Sequence, residues 1–429
     1  MFGGRKVILT TFAGRRDRMR LLAAYAREAI RRGLIDEWHV WNFARTEEDR
    51  LWLRQTFPVV ARIPGNHRYV RLGEMQGDGA ASSFRVSVRC GHDFVLGLRP
   101  RDGGDCYEIV LGGWGNLRSV IRRLPAENAL RIDSLPWLEG ELLHDAETPG
   151  VLASAAWREV HLQIGADTVR VDVDGHAALR FAIPGLSPEC DVFGLSGWGG
   201  HAELRMHGPP VAIKRFEAEG SYAVSGFGEF YHYYADRAPE YATAIFVKCD
   251  DDIVYIDLDR FDRFLEFRFG RPDYFVVSAN VVNNGVCAFH QRSYGAYPRE
   301  LMEFDGPITD FIMRQWADAE FTSALHETFV RDPGPFSRAP VDRVEWSERI
   351  SINFISFLGL DLDHIGVNHD DDERHLSVTI PRRLGRRNAF FMPFNVAHLS
   401  FFPQEAGLDL GRVLGLYEGL AQARGIPLG

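Results

Sequence analysis

The start of the chain alternates short apolar runs with one helical pattern. Residues 6–11 form a mostly β-branched and apolar run, typical of a buried strand. Apolar side chains then recur every three to four positions over residues 19–32, with Asp17 as a capping residue and Gly33 as a terminator. A second β-type run covers residues 37–43. This order of strand, loop, helix and strand predicts the beginning of a parallel, doubly wound α/β sheet.

The pattern changes in the middle of the chain to many short segments of alternating apolar and polar residues. Turn signals such as Asp174-Gly175 separate these segments at regular intervals. Such spacing predicts an antiparallel β-sandwich. Because α/β-type patterns lie on both sides of it, we expect a discontinuous α/β domain at residues 1–65 and 217–429, interrupted by an all-β sandwich domain at residues 66–216.

The α/β pattern resumes with two apolar runs, 245–249 and 253–256, on either side of Asp250, Asp251 and Asp252. The runs predict two buried strands joined by an acidic turn. Three carboxylates at the end of a buried strand repel one another and lose hydration, so they need a partner. A hard divalent cation prefers such oxygen ligands, and Asp250 and Asp252 lie on the same side of an extended chain. We therefore expect these two to bind a metal, with a solvated acidic turn as the alternative.

This acidic stretch resembles the Asp-x-Asp element of metal-dependent glycosyltransferases with the A-type fold, a Rossmann-like mixed sheet that binds nucleotide-sugars. The resemblance implies Mn²⁺ or Mg²⁺ held by Asp250 and Asp252 against the diphosphate of a nucleotide-sugar donor, with a glycan as acceptor. Many members of this family complete the metal site with a histidine near the C-terminus. His398, within an apolar run, is the candidate here, and a buried structural histidine is the alternative.

The loop after the first strand lies where parallel sheets bind nucleotides. Gly14 lets the backbone approach a ligand, and Arg15 or Arg16 could contact phosphate beside a helix N-terminus. We therefore expect Thr11, Gly14, Arg15 and Arg16, together with Asp251, to bind the nucleotide. The alternative is that these arginines are ordinary surface residues. The loop is neither a P-loop nor a GxGxxG fingerprint.

Polar residues also end the strand predicted after the acidic turn. Residues 274–284 form an apolar run that finishes with Asn280, Asn283 and Asn284. The run resembles the segment that follows the Asp-x-Asp element in a group of bacterial and fungal glycosyltransferase-like proteins. These three asparagines could line an acceptor site, or they could satisfy backbone groups at the strand end.

A second acidic cluster, at residues 370–373, precedes a helical pattern. In A-type glycosyltransferases an acidic pair at such a position accepts the proton of the acceptor hydroxyl or positions the acceptor. The resemblance implies this role for Asp372 and Glu373, with Asp371 in reserve. The alternative is a solvated loop in which Asp370 or Asp371 caps a helix.

The central segment carries a second resemblance. Residues 107–123, YEIVLGGWGNLRSVIRR, resemble the signature of the farnesoic acid O-methyltransferase-like domain, although no glycine-rich cofactor loop accompanies them. Residues 171–198 also resemble lectin-like jelly rolls. Trp114, Trp137 and Trp198 could stack on sugar faces or could be core residues.

Composition narrows the classes of protein to which this chain could belong. The chain has 429 residues, of which 45% are hydrophobic, and a net charge of -10. These values predict two or three globular domains and argue against a nucleic-acid surface. The five cysteines lack CxxC spacing, which argues against a zinc site or a disulfide framework. With neither a signal peptide nor a transmembrane run, we expect a cytoplasmic protein that could be peripheral to a membrane, and the sandwich could mediate homo-oligomers.

The main hypothesis is therefore a divalent-metal-dependent glycosyltransferase of the hexosyltransferase type, with surface polysaccharide synthesis as a possible setting by analogy. One alternative is a non-catalytic carbohydrate-binding or scaffold protein in which the sandwich acts alone. Another is a metal-dependent nucleotidyl or phosphoryl transferase that uses the same acidic residues. The missing glycine-rich loop counts against this last alternative.

Overall fold

The computed structural model describes residues 1–77, 80–125, 140–165, 167–197, 200–208, 211–218, 226–366 and 371–428. The chain divides into a first unit, residues 1–54 with 220–429, and a second unit, residues 55–219. The second unit starts before the predicted boundary at residue 66, because a strand at Val60–Pro64 pairs with strands of that unit.

The first unit is built, in chain order, from two stretches of helices and strands. Its first stretch contains β1 (Val7–Ala13), α1 (Arg16–Arg31), β2 (Glu37–Asn42) and α2 (Glu47–Thr56).

The second unit follows in the chain. Its strands are β3 (Val60–Pro64), β4 (Val70–Glu74), β5 (Gln76–Gly77), β6 (Ser82–Cys90), β7 (Phe94–Pro100), β8 (Cys106–Gly112), β9 (Arg118–Leu124), β10 (Glu141–Glu147), β11 (Ala153–Gly165), β12 (Thr168–Val173), β13 (His176–Ala182), β14 (Cys190–Ser196), β15 (His201–Met206) and β16 (Ile213–Glu217).

The chain then returns to the first unit. The elements of this stretch are α3 (Gly226–Ala235), α4 (Ala238–Tyr241), β17 (Ile245–Asp250), β18 (Ile253–Ile256), α5 (Phe261–Gly270), β19 (Tyr274–Val282), α6 (Gly285–Ser293), α7 (Ile308–Ala317), α8 (Ala319–Arg331), β20 (Arg343–Trp346), β21 (Phe354–Leu358), α9 (Leu362–Ile365), α10 (Asp372–Arg374), α11 (Ile380–Leu384), β22 (Arg387–His398) and α12 (Leu410–Ala423).

The sheet of the first unit is mixed, with the strand order β2-β1-β17-β21-β19-β22-β18 and β20 also paired to β22. The pairs β1–β2, β1–β17 and β19–β22 are parallel, whereas β21 runs antiparallel to both β17 and β19. Every residue of β1 and β19 is buried, as expected for strands covered on both faces. The predicted α/β character of this part of the chain is confirmed.

Helix α1 shows why these elements form where the pattern predicted them. Its apolar face, which includes Met19, Leu22 and Tyr25, is buried, while Arg20 and Arg27 on the opposite side are exposed. Burying such a face against a sheet provides most of the stability of a helix of this length. Among the residues that the structure describes, none of the helices is both long and apolar enough to span a membrane.

The second unit is a β-sandwich, as predicted. One sheet has the order β13-β12-β11-β6-β15-β3-β16, with β5 on the edge of β6, and the other has the order β10-β9-β8-β7-β14-β4. Alternate residues such as Val86, Leu96 and Ile109 point into a shared core between the sheets. This arrangement follows from the period-two pattern, which places one apolar face of each strand toward the facing sheet.

Candidate metal centre and active site

The first-strand loop and the acidic turn lie side by side in the first unit. Strands β1 and β17 are parallel neighbours, and Phe12 pairs with Asp250 at their carboxyl ends. Loops that follow the carboxyl ends of neighbouring parallel strands share one edge of the sheet. This topology brings Gly14 and Arg15 next to the aspartates, which lie more than two hundred positions later in the chain.

Asp250, Asp252 and His398 converge at this edge. Asp250 ends β17, Asp252 lies in the turn before β18, and His398 ends β22. Strand β18 pairs with β22 so that Ile253 is opposite His398. One ligand atom from each of these three residues lies within 4.8 Å of the other two. The structure thus brings together the three side chains predicted to bind a metal.

Two buried atoms of this trio lack hydrogen bonds to any residue that the structure describes. They are Asp252 Oδ1, which faces His398 Nε2 at 3.3 Å, and His398 Nδ1. Both side chains are almost fully buried, with exposed fractions of 3%. A bound cation would give Asp252 Oδ1 a partner. The carboxylate and imidazole donors therefore fit a divalent cation such as Mn²⁺.

The other carboxylate oxygens of Asp250 and Asp252 accept hydrogen bonds from side chains of the protein. Lys248 Nζ donates to Asp250 Oδ1 at 2.5 Å, and Asn353 Nδ2 donates to Asp250 Oδ2 at 3.2 Å. Arg15 donates to Asp252 Oδ2 at 2.8 Å. We expected a divalent cation to be the partner of the aspartates, and this expectation was incomplete, because lysine and arginine side chains supply much of the compensating charge.

These charges also set the protonation state of Asp252. Burial disfavours the charged carboxylate, but His398, Arg15 and Arg18 outweigh burial and hold the pKa of Asp252 below its usual range. Arg18 lies 3.4 Å from Asp252 Oδ2. Asp252 is therefore ionised over the physiological pH range, as a metal-ligating carboxylate must be.

Asp251 holds the first-strand loop in place and does not face the trio. The Gly14 amide donates to Asp251 Oδ2 at 3.0 Å, and Arg15 Nε donates to Asp251 Oδ1 at 3.1 Å. A Cβ atom at position 14 would lie 3.2 Å from that carboxylate and 3.0 Å from the Phe43 carbonyl oxygen. Gly14 thus permits the close approach of Asp251, whereas we predicted that it would permit the approach of a ligand. Asp251, Gly14 and Arg15 form an internal brace.

Asp251→Asn is expected to lower the free energy of unfolding by about 2–3 kcal/mol, because it leaves the partly buried Arg15 guanidinium with one charged partner fewer. Urea denaturation measures this change. The matched control is Glu48→Gln, which breaks the exposed Arg16–Glu48 pair and should change stability little. Equal losses in the two variants would contradict the proposed brace.

Thr11 and Arg16, which were predicted to bind the nucleotide, have their hydrogen-bond and ion-pair partners away from Asp250, Asp252 and His398. Thr11 is fully buried, and its hydroxyl accepts a hydrogen bond from Trp38 Nε1 at 2.9 Å. Arg16 is exposed and pairs with Glu48 on the surface. The position of Arg16 fits the alternative of an ordinary surface residue, and the buried hydroxyl of Thr11 serves the core.

The three asparagines predicted to bind the acceptor are buried, and internal hydrogen bonds engage their amides. Asn280 Nδ2 donates to backbone carbonyls and to Asn395 Oδ1 at 2.9 Å, and Asn283 Nδ2 donates to a glutamine side chain at 3.0 Å. Asn284 caps α6 and donates to Asn353 Oδ1 at 3.2 Å. These contacts fit the alternative interpretation, in which the amides satisfy polar groups inside the fold. Through Asn353, Asn284 also supports Asp250 indirectly.

The second acidic cluster lies at the start of α10. Asp371 caps this helix by accepting the Arg374 amide at 2.9 Å, and it also pairs with Arg349. The capping alternative therefore describes Asp371, while Asp370 lies outside the described residues. The hydroxyl of Tyr231 donates to Asp372 Oδ2 at 2.9 Å. These contacts fix the backbone that carries the acidic pair.

Glu373 differs electrostatically from its neighbours. Burial raises the pKa of Glu373 to about 7, and the negative charges of Asp372 and Asp250 add to this rise, while Arg349 and Lys248 oppose it. Its carboxylate lies 2.7 Å from Arg349. A carboxyl group with a pKa near neutrality is well suited to accept a proton from a substrate hydroxyl.

Sequence reasoning missed several residues of this site. Lys248 precedes Asp250 by two positions, so both side chains lie on the same face of β17. This spacing could have predicted the ion pair between Lys248 and Asp250. Arg15 is the N-cap residue of α1 and Arg18 lies three positions later, so both side chains lie at the start of this helix. No local signal exists for Glu405, which contacts both arginines.

Together, the fold and the site define a two-part protein, with a mixed α/β unit that carries a candidate metal centre and a β-sandwich unit. Residues 64–210 match the sequence family described as farnesoic acid 0-methyl transferase. This match lies within the second unit and confirms the resemblance predicted for that part of the chain. The resemblance of the first unit to A-type glycosyltransferases stays a prediction.

Individual solved structures are also similar to parts of the chain. The carbohydrate-binding module CBM66 from Bacillus subtilis is 8% identical, with 34% of this chain and 94% of that chain covered and a TM-score of 0.22. Sheep galectin-11, in complex with glycerol, is 12% identical over 32% of this chain and 93% of that chain, with a TM-score of 0.22. Chicken galectin 2 is 9% identical over 32% of this chain and 97% of that chain, with a TM-score of 0.23. No match to a curated protein is found.

Proposed function

We propose that the first unit is a divalent-metal-dependent glycosyltransferase that moves a sugar from a nucleotide-sugar donor to a glycan. The observation that carries this proposal is the convergence of Asp250, Asp252 and His398 within 4.8 Å. Two carboxylates and one imidazole are donors that suit Mn²⁺ or Mg²⁺. When bound, the cation would offset the negative charge that develops on the departing nucleoside diphosphate.

The charge balance around this trio supports a phosphate-bearing substrate. Ion pairs link Lys248 to Asp250, and link Arg15 and Arg18 to Asp251, Asp252 and Glu405, which gives four carboxylates and three basic side chains. Asp17, which lies 3.9 Å from Arg18, is 61% exposed and is screened by water. These side chains leave a small negative excess, which a divalent cation would reverse in sign. A diphosphate would then meet a net positive site, with Arg15 as the arginine placed beside it.

Glu373 is the proposed proton acceptor for the acceptor hydroxyl. Its raised pKa allows it to take up a proton near neutral pH, and Asp250 and Lys248 of the metal site are among the charges that influence it. Asp372 is a positioning residue, because its carboxylate accepts the Tyr231 hydroxyl. Arg349 pairs with Glu373 and Asp371 and orients both.

The test is to incubate the 429-residue chain with UDP-glucose, GDP-mannose, dTDP-glucose or CMP-sialic acid, a mixture of acceptor saccharides, and either Mn²⁺ or EDTA. We expect nucleotide release from one donor that requires the metal and the acceptor. No release from any donor, in the presence of every acceptor, would contradict the proposal.

A second candidate is a carbohydrate-binding or scaffold role in which the β-sandwich unit acts without catalysis. The observation that favours it is Trp114, whose side chain is 54% exposed on the second unit. A half-exposed tryptophan offers a flat apolar face on which a sugar ring can stack. Trp137 and Trp198, the other two predicted sugar-stacking residues, lie outside the described residues.

A further inference from the structure

The second unit contains a pocket that the candidate metal centre does not use. It has a volume of about 370 Å³ and lies on the sheet formed by β10, β9, β8, β7, β14 and β4. Side chains on β8 alternate between the two faces of this sheet. Ile109 and Leu111 enter the sandwich core, whereas Glu108 and Val110 line the pocket. The pocket therefore lies on the face that points away from the core.

Trp114 forms part of the wall of this pocket on a left-handed turn between β8 and β9. Its backbone has a φ of 52°, and Gly112, Gly115 and Asn116 also have positive φ values of 63°, 73° and 67°. The Asn116 side chain holds the turn by donating to the Leu152 carbonyl at 2.8 Å. A tryptophan in this conformation is strained by about 1–2 kcal/mol, and core packing does not explain it because the ring is exposed.

Polar groups of opposite charge stand beside this ring. The guanidinium of Arg122 lies 5.9 Å from the Trp114 ring centroid, and Arg122 Nη1 is 4.0 Å from Glu108 Oε2. Glu108 is 1% exposed, and its Oε1 accepts the Tyr69 hydroxyl. Oε2 is buried and has no hydrogen bond to the residues that the structure describes. A hydroxyl between Arg122 and Glu108 could bridge the two groups.

The charges of the pocket restrict its ligand. Asp93 and Glu108 are two acidic side chains against the single guanidinium of Arg122, and burial raises the pKa of Glu108 while Tyr69 and Arg122 oppose this rise. Burial lowers the pKa of His67, so its imidazole is neutral at physiological pH. An anionic sugar would be repelled by the carboxylates, whereas a neutral sugar offers hydroxyls to them. The apolar floor formed by Val95, Val110 and Leu195 suits the carbon-bound hydrogens of a sugar ring.

We propose that this pocket binds a neutral saccharide unit, which stacks on Trp114 and donates hydroxyl hydrogen bonds to Glu108 and Asp93. This inference gives a site to the second candidate function and rests on that candidate, but it does not depend on catalysis by the first unit. In a catalytic protein the same pocket would hold the glycan acceptor or product close to the enzyme and raise its effective concentration.

The test uses isothermal titration calorimetry on the 429-residue chain in EDTA. The ligands are cellotetraose, maltotetraose, mannotetraose, and cellotetraose oxidised to uronic acids at C6. We expect at least one neutral tetrasaccharide to bind, and the oxidised ligand to bind at least about tenfold more weakly. Trp114→Ala should weaken binding of the neutral ligand by at least about tenfold, or about 1.4 kcal/mol.

Two further variants keep the result interpretable. Trp157→Ala is the matched control, because Trp157 lies on β11 of the other sheet, where it contacts Arg89 and Arg205, and its loss should leave binding unchanged. Glu108→Gln retains the shape of the side chain and should weaken binding while the unfolding temperature stays close to that of the wild type.

Several outcomes would overturn this inference: no binding of any neutral tetrasaccharide, equal binding of the oxidised ligand, or wild-type affinity in Trp114→Ala. Asp252→Asn separates the two proposals, since it should leave tetrasaccharide binding intact. If tetrasaccharides fail to bind while metal-dependent nucleotide release persists, the saccharide-pocket proposal is contradicted and the glycosyltransferase proposal is not.

Discussion

Asp252→Asn is expected to abolish Mn²⁺-dependent nucleotide binding. In the wild type, the matching nucleoside diphosphate at ~100 times its dissociation constant should add ~2.7 kcal/mol of stability in Mn²⁺ and far less in EDTA. The variant should show no metal-dependent gain, because it loses the charged carboxylate that faces His398. A thermal-shift panel of UDP, GDP, CMP and dTDP, each with Mn²⁺ or EDTA, measures this difference.

The comparison must be made between ligand-induced shifts, because Asp252→Asn also changes the stability of the free protein. Asp252 contacts Arg15 and Arg18, and both arginines would lose a charged partner. Asp251→Asn is the matched control, since it disturbs the same arginine but should retain the metal-dependent shift. A nucleotide shift that ignores EDTA, or one that survives in Asp252→Asn, would count against the metal centre.

Glu373→Gln is expected to lower turnover by about 10²–10⁴-fold while nucleotide binding stays close to that of the wild type, because an amide cannot accept the acceptor proton. Below a pH of about 7, wild-type turnover should fall about tenfold per pH unit, since Glu373 becomes protonated there. The charged groups that influence it are Arg349, Asp372, Asp250 and Lys248. Initial rates across pH 5 to 9 measure this dependence.

The control for this variant is Asp371→Asn. Asparagine caps a helix as well as aspartate does, so this variant should lose only the ion pair with Arg349, lower the free energy of unfolding by less than about 1 kcal/mol, and keep most of the turnover. Equal turnover losses in the two variants would show that the acidic cluster serves the fold and not the transfer step. Full turnover in Glu373→Gln would exclude Glu373 as the proton acceptor.

The raised pKa of Glu373 also predicts that the free energy of unfolding falls as the pH rises. Its pKa in the folded protein is about 7, above the ordinary value of 4.5 for a glutamate, so between these values the folded state binds more protons than the unfolded state. Its contribution to stability is therefore fully present below about pH 4.5 and is lost as the pH rises through 7. Glu373→Gln should remove this loss and stabilise the protein by about 2–3 kcal/mol at pH 8 in EDTA. Urea denaturation at pH 5 and pH 8 measures the difference, and a variant that is less stable than the wild type at pH 8 would contradict it.

Much of the first unit could be predicted because its signals are local. The apolar run at the start of the chain became β1, and the runs around the three aspartates became β17 and β18. Strands buried on both faces need continuous apolar residues, so a single sequence predicts where these strands lie. The polar residues that interrupt those runs then fall at strand ends, where sites form.

Residues 301–329, whose sequence is helical in pattern, show the limit of local signals. The structure has α7 and α8, separated at Asp318, whose side chain accepts the Phe321 amide and so starts a second helix. A capping aspartate within a helical pattern is compatible with either a solvent-facing residue or a break. Packing against the sheet decides between these, and a single sequence does not contain that information.

The polar partners were the least predictable part of the site. Asn280 and Asn283 looked like ligand-binding residues because they end a strand, but each is fully buried among amides from distant elements. Conversely, Glu405 carried no local signal, yet it contacts both Arg15 and Arg18 beside the aspartates. Hydrogen-bond partners far apart in sequence meet only after the sheet order has been set.

By itself, the sequence determined the kinds of element, the division into an α/β part and a β-sandwich, and the three side chains Asp250, Asp252 and His398 as a group. Hydrophobic periodicity and strand ends are properties of neighbouring residues, so one chain suffices to read them. The tertiary structure alone decided which basic groups balance the aspartates, which loop residues are internal braces, and which acid has a raised pKa. Those properties depend on burial and on distances of a few ångströms between remote residues, because both the Coulomb energy and the desolvation cost are set by the surroundings of a charge.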